Sequence, residues 1–286
     1  MRDLIEIKQR NISIIKSDIL KILDYKEEDI IFLSGSLIEG SINKTSKGMG
    51  NKLSDIDIFI LSNDIDNVDK STLDYDREYL KTQFKKLHGI NFDIEIYSKE
   101  IIVGLMKQLN KYRFEDNIRT FNILDLPKGM NVYNFTSFIH RFLNGIPIYN
   151  DTEFEHMKET FNRDNYFKLM TRMSINKVDL SYEDVIGNIE NGQLEVAVNI
   201  ARSILLETIK AYIFHMKTSV DRDKWIPLKI KNLADYDSET AKLYEKFKKL
   251  YFEEILDNEK SFIRNAENII EFSNSIINKI GQEGEI

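Results

Sequence analysis

Residues Ile31 to Ile60 read IFLSGSLIEGSINKTSKGMGNKLSDIDIFI. An apolar run enters a Gly35-Ser36 turn, a polar loop follows, and a second apolar run carries two aspartates at alternate positions. Asp55 and Asp57 stand among Ile56, Ile58, Phe59 and Ile60, where a carboxylate is costly unless it is paired or metal-bound. On a strand these two side chains point the same way, with backbones about 6.6 Å apart. Two acids on one face of a buried strand predict a divalent-metal site for nucleotide chemistry.

Outward from that stretch the chain reads as mixed structure. Leu4, Ile5, Ile12, Ile15, Ile19, Leu20 and Ile22 fall at roughly helical spacing, predicting one amphipathic helix over residues 4–24. Ile30 to Leu33 and Leu53 to Ser62 predict strands, and Asp69 to Leu87 a helix. Gly89 leads into Ile90 to Ile96, INFDIEI, an alternating strand on which Asp93 and Glu95 again share one face. Lys99 to Lys111 reads as a helix. Phe135 to Asn150 reads as a helix stopped by Gly145 and Pro147. These elements predict a small mixed sheet with helices packed on it, and the polar patch after Pro147 sets a domain break near residue 150.

From residue 153 onward the pattern is helical. Glu153 to Lys177 and Ser181 to Glu190 are candidate helices. Leu194 to Met216 carries a packing stripe of Ala197, Ile200, Ala201, Ile204, Leu205, Thr208, Ile209 and Tyr212. Ser238 to Leu256, with Ser238 as its N-cap, and Glu259 to Ile280 complete a bundle. The expected organisation is therefore α+β: a catalytic domain over residues 1–150, then an all-helical domain over residues 151–286.

Composition narrows the function classes. The 286 residues are 42% hydrophobic and 30% charged, with 3 Pro and 12 Gly, as in a folded globular protein. The absence of cysteine removes disulfides, thiolate zinc sites and cysteine nucleophiles. A formal net charge of −7 disfavours nucleic acid as a partner. The amphipathic start lacks the apolar core of a signal peptide and no stretch is long enough to span a membrane, so a cytoplasmic address is expected.

The order of apolar strand, Gly35-Ser36, loop, Asp55-Ile56-Asp57 and a third carboxylate on a later strand resembles the DNA-polymerase-beta-like nucleotidyltransferase superfamily. The run SLIEG, with Gly40, fits as well. The resemblance covers residues 30–97 by motif. It departs from the family in the 18 residues 37–54, whose surplus lies in the Lys/Gly/Ser-rich loop Asn43 to Lys52, open to contacting substrate. The helical half resembles, more loosely, the domain that follows the catalytic domain in kanamycin-type antibiotic nucleotidyltransferases, through Ala197, Ala201-Arg202, Ala211-Tyr212 and Lys224-Trp225.

The resemblance implies transfer of a nucleoside monophosphate from ATP or another nucleoside triphosphate to an acceptor, with release of pyrophosphate and two Mg²⁺ ions at the site. Asp55 and Asp57 would be metal ligands, with Asp93 or Glu95 as the third acid. Asp93 is favoured because the resemblance puts that acid early in its strand. Gly35 and Ser36 would meet the triphosphate, since a glycine lets backbone N–H groups approach closely. Lys224 would reach a phosphate from the helical domain, or be the solvated neighbour of a core Trp225. Arg141 and Arg202 are phosphate contacts or ion-pair residues. His88, His140, His156 and His215 show no ligand spacing and read as structural.

A hydroxyl of a small molecule is the first choice of acceptor. A nucleotidylating toxin or regulator acting on protein or RNA, a synthase of an oligonucleotide or cyclic-nucleotide signal, and a degenerate scaffold are the alternatives. Arg202 is followed by Ser203-Ile204-Leu205-Leu206-Glu207, which lacks the Arg-x₄-His pair of an associated helical ribonuclease. The assembly is expected to be a monomer or homodimer.

Overall fold

The computed structural model describes residues 4–87, 89–114 and 123–283. These fall into two compact units, one of residues 4–112 and 123–162 and the other of residues 113–114 and 163–283. The architecture is α+β: a mixed sheet with helices, and a separate helical bundle.

The first unit opens with a hairpin of β1 (Leu4–Ile7) and β2 (Ile12–Ile15), pairing Leu4 with Ile15, and a short helix α1 (Lys16–Leu20). The helix expected over residues 4–24 is thus mostly a hairpin. Its isoleucines at 5, 7, 12 and 14 fit a two-residue period as well as a helical one, and β-branched side chains suit a pleated surface. Asn11, in the left-handed conformation at φ 53°, makes the turn.

Next come β3 (Ile30–Ser34), α2 (Gly35–Ile42), β4 (Ile56–Ser62), β5 (Tyr75–Asp76), β6 (Leu80–Leu87), β7 (Ile90–Ser98) and α3 (Lys99–Lys111). The unit closes with α4 (Val132–Leu143), β8 (Ile146–Tyr149) and α5 (Asp151–Thr160). Six strands form one sheet in the order β5-β6-β7-β4-β3-β8; β4 and β7 are parallel and every other pair is antiparallel.

Two expectations fail here for identifiable reasons. Asp69 to Leu87 holds a single helical turn (Lys70–Thr72) and two strands rather than a helix. In β6 the buried positions are polar: Lys81 bonds Asp76 Oδ1 at 2.5 Å, and Gln83 donates to Thr72 Oγ1 at 2.7 Å. That inverts the usual alternation of apolar-in and polar-out. Pro147 does not merely stop a helix but sits inside β8, which a proline tolerates because β8 is an edge strand.

The two sheet faces differ in chemistry. One is aliphatic: Ile31, Leu33, Ile58, Ile60, Ile94 and Ile96 pack with Leu37 and Ile38 of α2 and with the isoleucines of the hairpin. The other is aromatic. Phe32 stacks on Phe59 at 5.1 Å, and Phe138 and Phe142 of α4 meet Phe32 edge-on at 6.1 and 6.0 Å. Phe154 of α5 joins them, 5.1 Å from Phe32. The break expected at residue 150 therefore moves beyond α5, whose aromatic anchor belongs to the sheet.

The second unit contains α6 (Arg163–Glu190), α7 (Leu194–His215), α8 (Ile226–Ala234), α9 (Ser238–Lys248) and α10 (Glu259–Gln282). The helices expected at 153–177 and 181–190 are divided differently: α5 ends at Thr160, and α6 then runs unbroken to Glu190. Helix α7 packs against both α6 and α10, burying Ala197, Ala201, Ile204, Leu205, Thr208, Ile209 and Tyr212. The cap of α9 is Asp237 rather than Ser238, since the Asp237 carboxylate accepts from Thr240 N at 2.6 Å. A π-helical turn at Lys249–Glu253 ends that helix early. No described helix is long and apolar enough to cross a membrane.

Gly40 of α2 lies against the Met49 carbonyl, where an added Cβ would collide with backbone. Gly40→Ala should destabilise the protein by about 1–3 kcal/mol through the forced shift of that loop. Urea unfolding measures it, and a loss under about 0.5 kcal/mol would show that the loop yields freely.

Candidate functional site

Strand β3 ends at Ser34 and the chain turns at Gly35, φ +83°, directly into α2. Two constraints require glycine there. The backbone is left-handed, and the place of a Cβ is taken by the Asp57 carboxylate. Asp57 thus rests on the first residue of a helix, where unpaired N–H groups and the helix dipole favour negative charge. Ser36 follows in the first turn of α2.

Strand register assembles the remaining groups. Ser34 pairs with Asp57, and Asp57 with Asp93, so these three form one row on the aromatic face of the sheet. The next row along that face is Phe32, Phe59 and Glu95. Asp55 lies just before β4, close enough for its charge to act on both Asp57 and Asp93. All four sequence-predicted acids therefore meet at one end of one sheet face.

Their environments differ. Burial pushes the Asp57 carboxyl up to about 7; the Arg141 guanidinium opposes this, while Glu95, Asp93 and Asp55 add to it. Asp93 is raised too, by burial first and then by Asp55 and Glu95. Glu95 accepts a hydrogen bond from Tyr97 Oη at 2.7 Å, and Tyr97 is raised well above its ordinary value by burial and by Glu95. The tyrosine engages Glu95, whereas Asp93 stands in register with Asp57.

Arg141 is the cation of the cluster. It extends from α4, its guanidinium carbon 5.7 Å from the Phe59 ring centroid, and it also bonds Ser137 Oγ. Ser34 Oγ donates to the Arg141 carbonyl at 2.8 Å, tying the start of α2 to α4. The sequence offers Arg141 only as one of two candidate arginines, with Arg202. Its role arises from α4 packing across the aromatic face, and no local motif signals that.

The loop 43–52 is a built structure. Asn43 accepts from Thr45 N at 3.0 Å and donates to Asn144 Oδ1 at 3.1 Å. Ser46 Oγ donates to Glu39 Oε1 at 2.7 Å, and the other Glu39 oxygen lies 3.1 Å from His140 Nε2. Glu39, Ser46, Met49 and His140 are all buried. The loop thus anchors α2 to α4 through an internal carboxylate–imidazole pair.

Other candidates lie on other elements. Lys224 belongs to the second unit, exposed in the turn Asp223–Trp225, with its ammonium 5.1 Å from the Trp225 ring centroid. Arg202 and His215 are on α7, and His215 meets Glu283 at 2.6 Å. His156 is exposed on α5, and His88 lies outside the described residues.

Among the described residues no group of three or more His, Cys, Asp or Glu is gathered as a ready metal cage. Magnesium takes only one or two protein carboxylates and completes its shell with water and phosphate. An all-oxygen set of mutually repelling acids, one of them buried and raised, suits such a hard cation. Asp55, Asp57 and Asp93 are the acids that the sequence puts forward for it, and the described residues do not gather them as a three-ligand set.

No protein-family model matches the chain, and no curated protein matches it either. A solved structure of a nucleotidyltransferase-like protein from Exiguobacterium sibiricum 255-15 is similar in fold, with a TM-score of 0.46 and 12% sequence identity. The similarity covers 88% of this chain and 70% of that one.

The raised Asp57 has a stability consequence. Between its unfolded value of 3.8 and about 7 the folded state holds the extra proton. Asp57 therefore withdraws stability as pH rises through that window, on the order of 4 kcal/mol at most. Asp57→Asn should be more stable than wild type at pH 8 and nearly equal at pH 4, in buffer with EDTA. Thermal melts across pH 4–8 test this; parallel curves for the two proteins would refute it.

Proposed function

We propose that the first unit is a magnesium-dependent nucleotidyltransferase that moves a nucleoside monophosphate, AMP from ATP in the first instance, to a hydroxyl of a small-molecule acceptor. One observation carries this reading: Asp57 sits on Gly35 at the head of α2 and stands in register with Asp93. A phosphate-accepting helix start and a two-strand acid pair are thereby joined at a single point. Nucleotidyl transfer needs both, because the triphosphate must be cradled while negative charge builds at the reacting phosphorus.

The residues divide the work by environment. The N–H groups opening α2 and the Ser36 hydroxyl donate to phosphate oxygens, with Gly35 admitting close approach. Asp55, Asp57 and Asp93 would hold magnesium, which when bound would supply positive charge to the phosphates and the acceptor oxygen. Asp93, in register with Asp57, is placed to take the proton of the acceptor hydroxyl. The acceptor oxygen then bonds the α-phosphorus, the bond from that phosphorus to the bridging oxygen breaks, and pyrophosphate leaves. Arg141 offsets repulsion within the acid set, and Tyr97 keeps Glu95 turned to its own hydroxyl.

Incubation with labelled nucleotides, Mg²⁺ and a metabolite extract, read by mass for an added monophosphate, tests the reading. Asp55→Ala, Asp57→Ala and Asp93→Asn should each cut transfer by about a hundredfold or more while the circular dichroism spectrum stays native; Glu95→Gln should retain most activity. Transfer that survives in both Asp55→Ala and Asp57→Ala would remove the assignment.

A further inference from the structure

The hairpin does not seal the sheet completely. Between β1, the end of α2, β8 and the start of α5 lies an open cavity of about 440 Å³, within the size range of small-molecule sites. Its walls are largely apolar. Leu4 and Ile42 line it at 46% and 52% exposure, and Ile146 and Pro147 of β8 add to them. Ile146 pairs with Leu33, so it shares the aliphatic face of the sheet, opposite the acid row. Ser41 and Ile42 belong to the last turn of α2, whereas Gly35 opens that helix. The cavity and the Asp57 contact are thus about 10 Å apart along α2.

The charges around the cavity are unbalanced. Lys16 is already engaged: its ammonium donates to the Pro147 carbonyl at 3.0 Å and lies 3.9 Å from Asp151 Oδ2. Asp151 in turn opens α5, where a carboxylate complements the helix dipole. Glu6 of β1 and Glu155, one turn along α5, also line the cavity; both are exposed, and neither is held in an ion pair among the described residues. Of the lining residues only Lys8 adds an exposed cation. The carbonyl end of α2 contributes a further partial negative charge. An apolar wall favours a carbon body, and the excess of negative charge favours one cation; an ammonium on an alkyl or aryl chain supplies both.

We infer that this cavity is a second ligand site, taking a primary amine with an apolar body whose ammonium meets Glu6 and Glu155 and whose carbon chain lies on Leu4, Ile42 and Ile146. The site is preformed, which lowers the cost of binding. Ser41 Oγ donates to Gln9 Oε1 at 2.8 Å, and Gln9 Nε2 donates to the Met49 carbonyl at 2.9 Å, bracing the α2 wall against the hairpin and the following loop. The Lys16 bond to Pro147 braces the β8 wall in the same way. A carboxylate ligand would meet two like charges, and a hydrophilic polyamine would leave the apolar wall wet. The site goes beyond the nucleotidyltransferase reading and does not rest on it.

Isothermal titration calorimetry of the full chain with phenylbutylamine should give a Kd of about 1 mM or tighter. Phenylbutanol, phenylbutyrate and putrescine, which lack the charge, reverse it or lack the apolar body, should each bind at least about tenfold more weakly. Ile42→Lys, which sets a cation in the wall, should weaken the amine by about tenfold or more, and Glu6→Gln combined with Glu155→Gln by about fivefold. Circular dichroism checks that each variant is folded. Asp57→Asn should leave the affinity within about twofold, because the acid row lies on the other face of the sheet. No binding of the amine, equal binding of the alcohol, the carboxylate or putrescine, or undiminished binding by Ile42→Lys would each overturn the site. Loss of binding in Asp57→Asn would overturn it too, by putting the amine on the acid row. The readout is binding alone, so the site stands or falls separately from nucleotidyl transfer.

Discussion

The contact between the Asp57 carboxylate and the α-carbon of Gly35 organises the whole of the first unit. It is possible only with no side chain at residue 35 and a left-handed turn between β3 and α2. It fixes how far β3 extends before the helix begins, and so which β4 residue faces Ser34. The parallel pairing of β4 with β7 then carries that choice to Asp93. One steric fact at a turn sets the row in which every proposed reacting group stands.

The contrast between the sheet faces explains where the counter-charge of the acids comes from. The aliphatic face is closed by isoleucines of the hairpin and by α2. The aromatic face is covered by α4 and α5, and there a guanidinium lies against Phe59 within reach of Asp57. Aromatic carbon accepts a neighbouring cation where aliphatic carbon gives it nothing. The carboxylates therefore share a low-dielectric neighbourhood with a built-in counter-charge. The Glu39–His140 pair performs a related task behind the site, holding α2, the following loop and α4 together by a buried polar link.

What could be read from the chain alone was decided by how far each signal reaches. Asp55-Ile56-Asp57 stands out because carboxylates among isoleucines conflict with burial, and the alternation of β7 is equally local. Gly35 is legible as a turn, although the reason that only glycine fits lies on β4. The N-terminal hairpin was misread because isoleucines at 5, 7, 12 and 14 satisfy two periods at once. Strand β6 was misread because its inward residues, Lys81 and Gln83, are polar and find partners only after folding. Arg141 acquires its meaning from helix packing, which no window of neighbouring residues contains. Lys224 comes forward only through the resemblance of the helical half, and its described partner is local, the Trp225 ring.

Pro147 and the brevity of β5 have a bearing on how this protein can associate. One border of the sheet ends in a strand interrupted by a residue that lacks an amide proton, and the other in a strand of two residues. Lys81, turned inward on the neighbouring strand, adds a buried charge that a foreign strand could not satisfy. Both borders of the six-stranded sheet thus resist a continuing ladder, one through Pro147 and the other through its two-residue length.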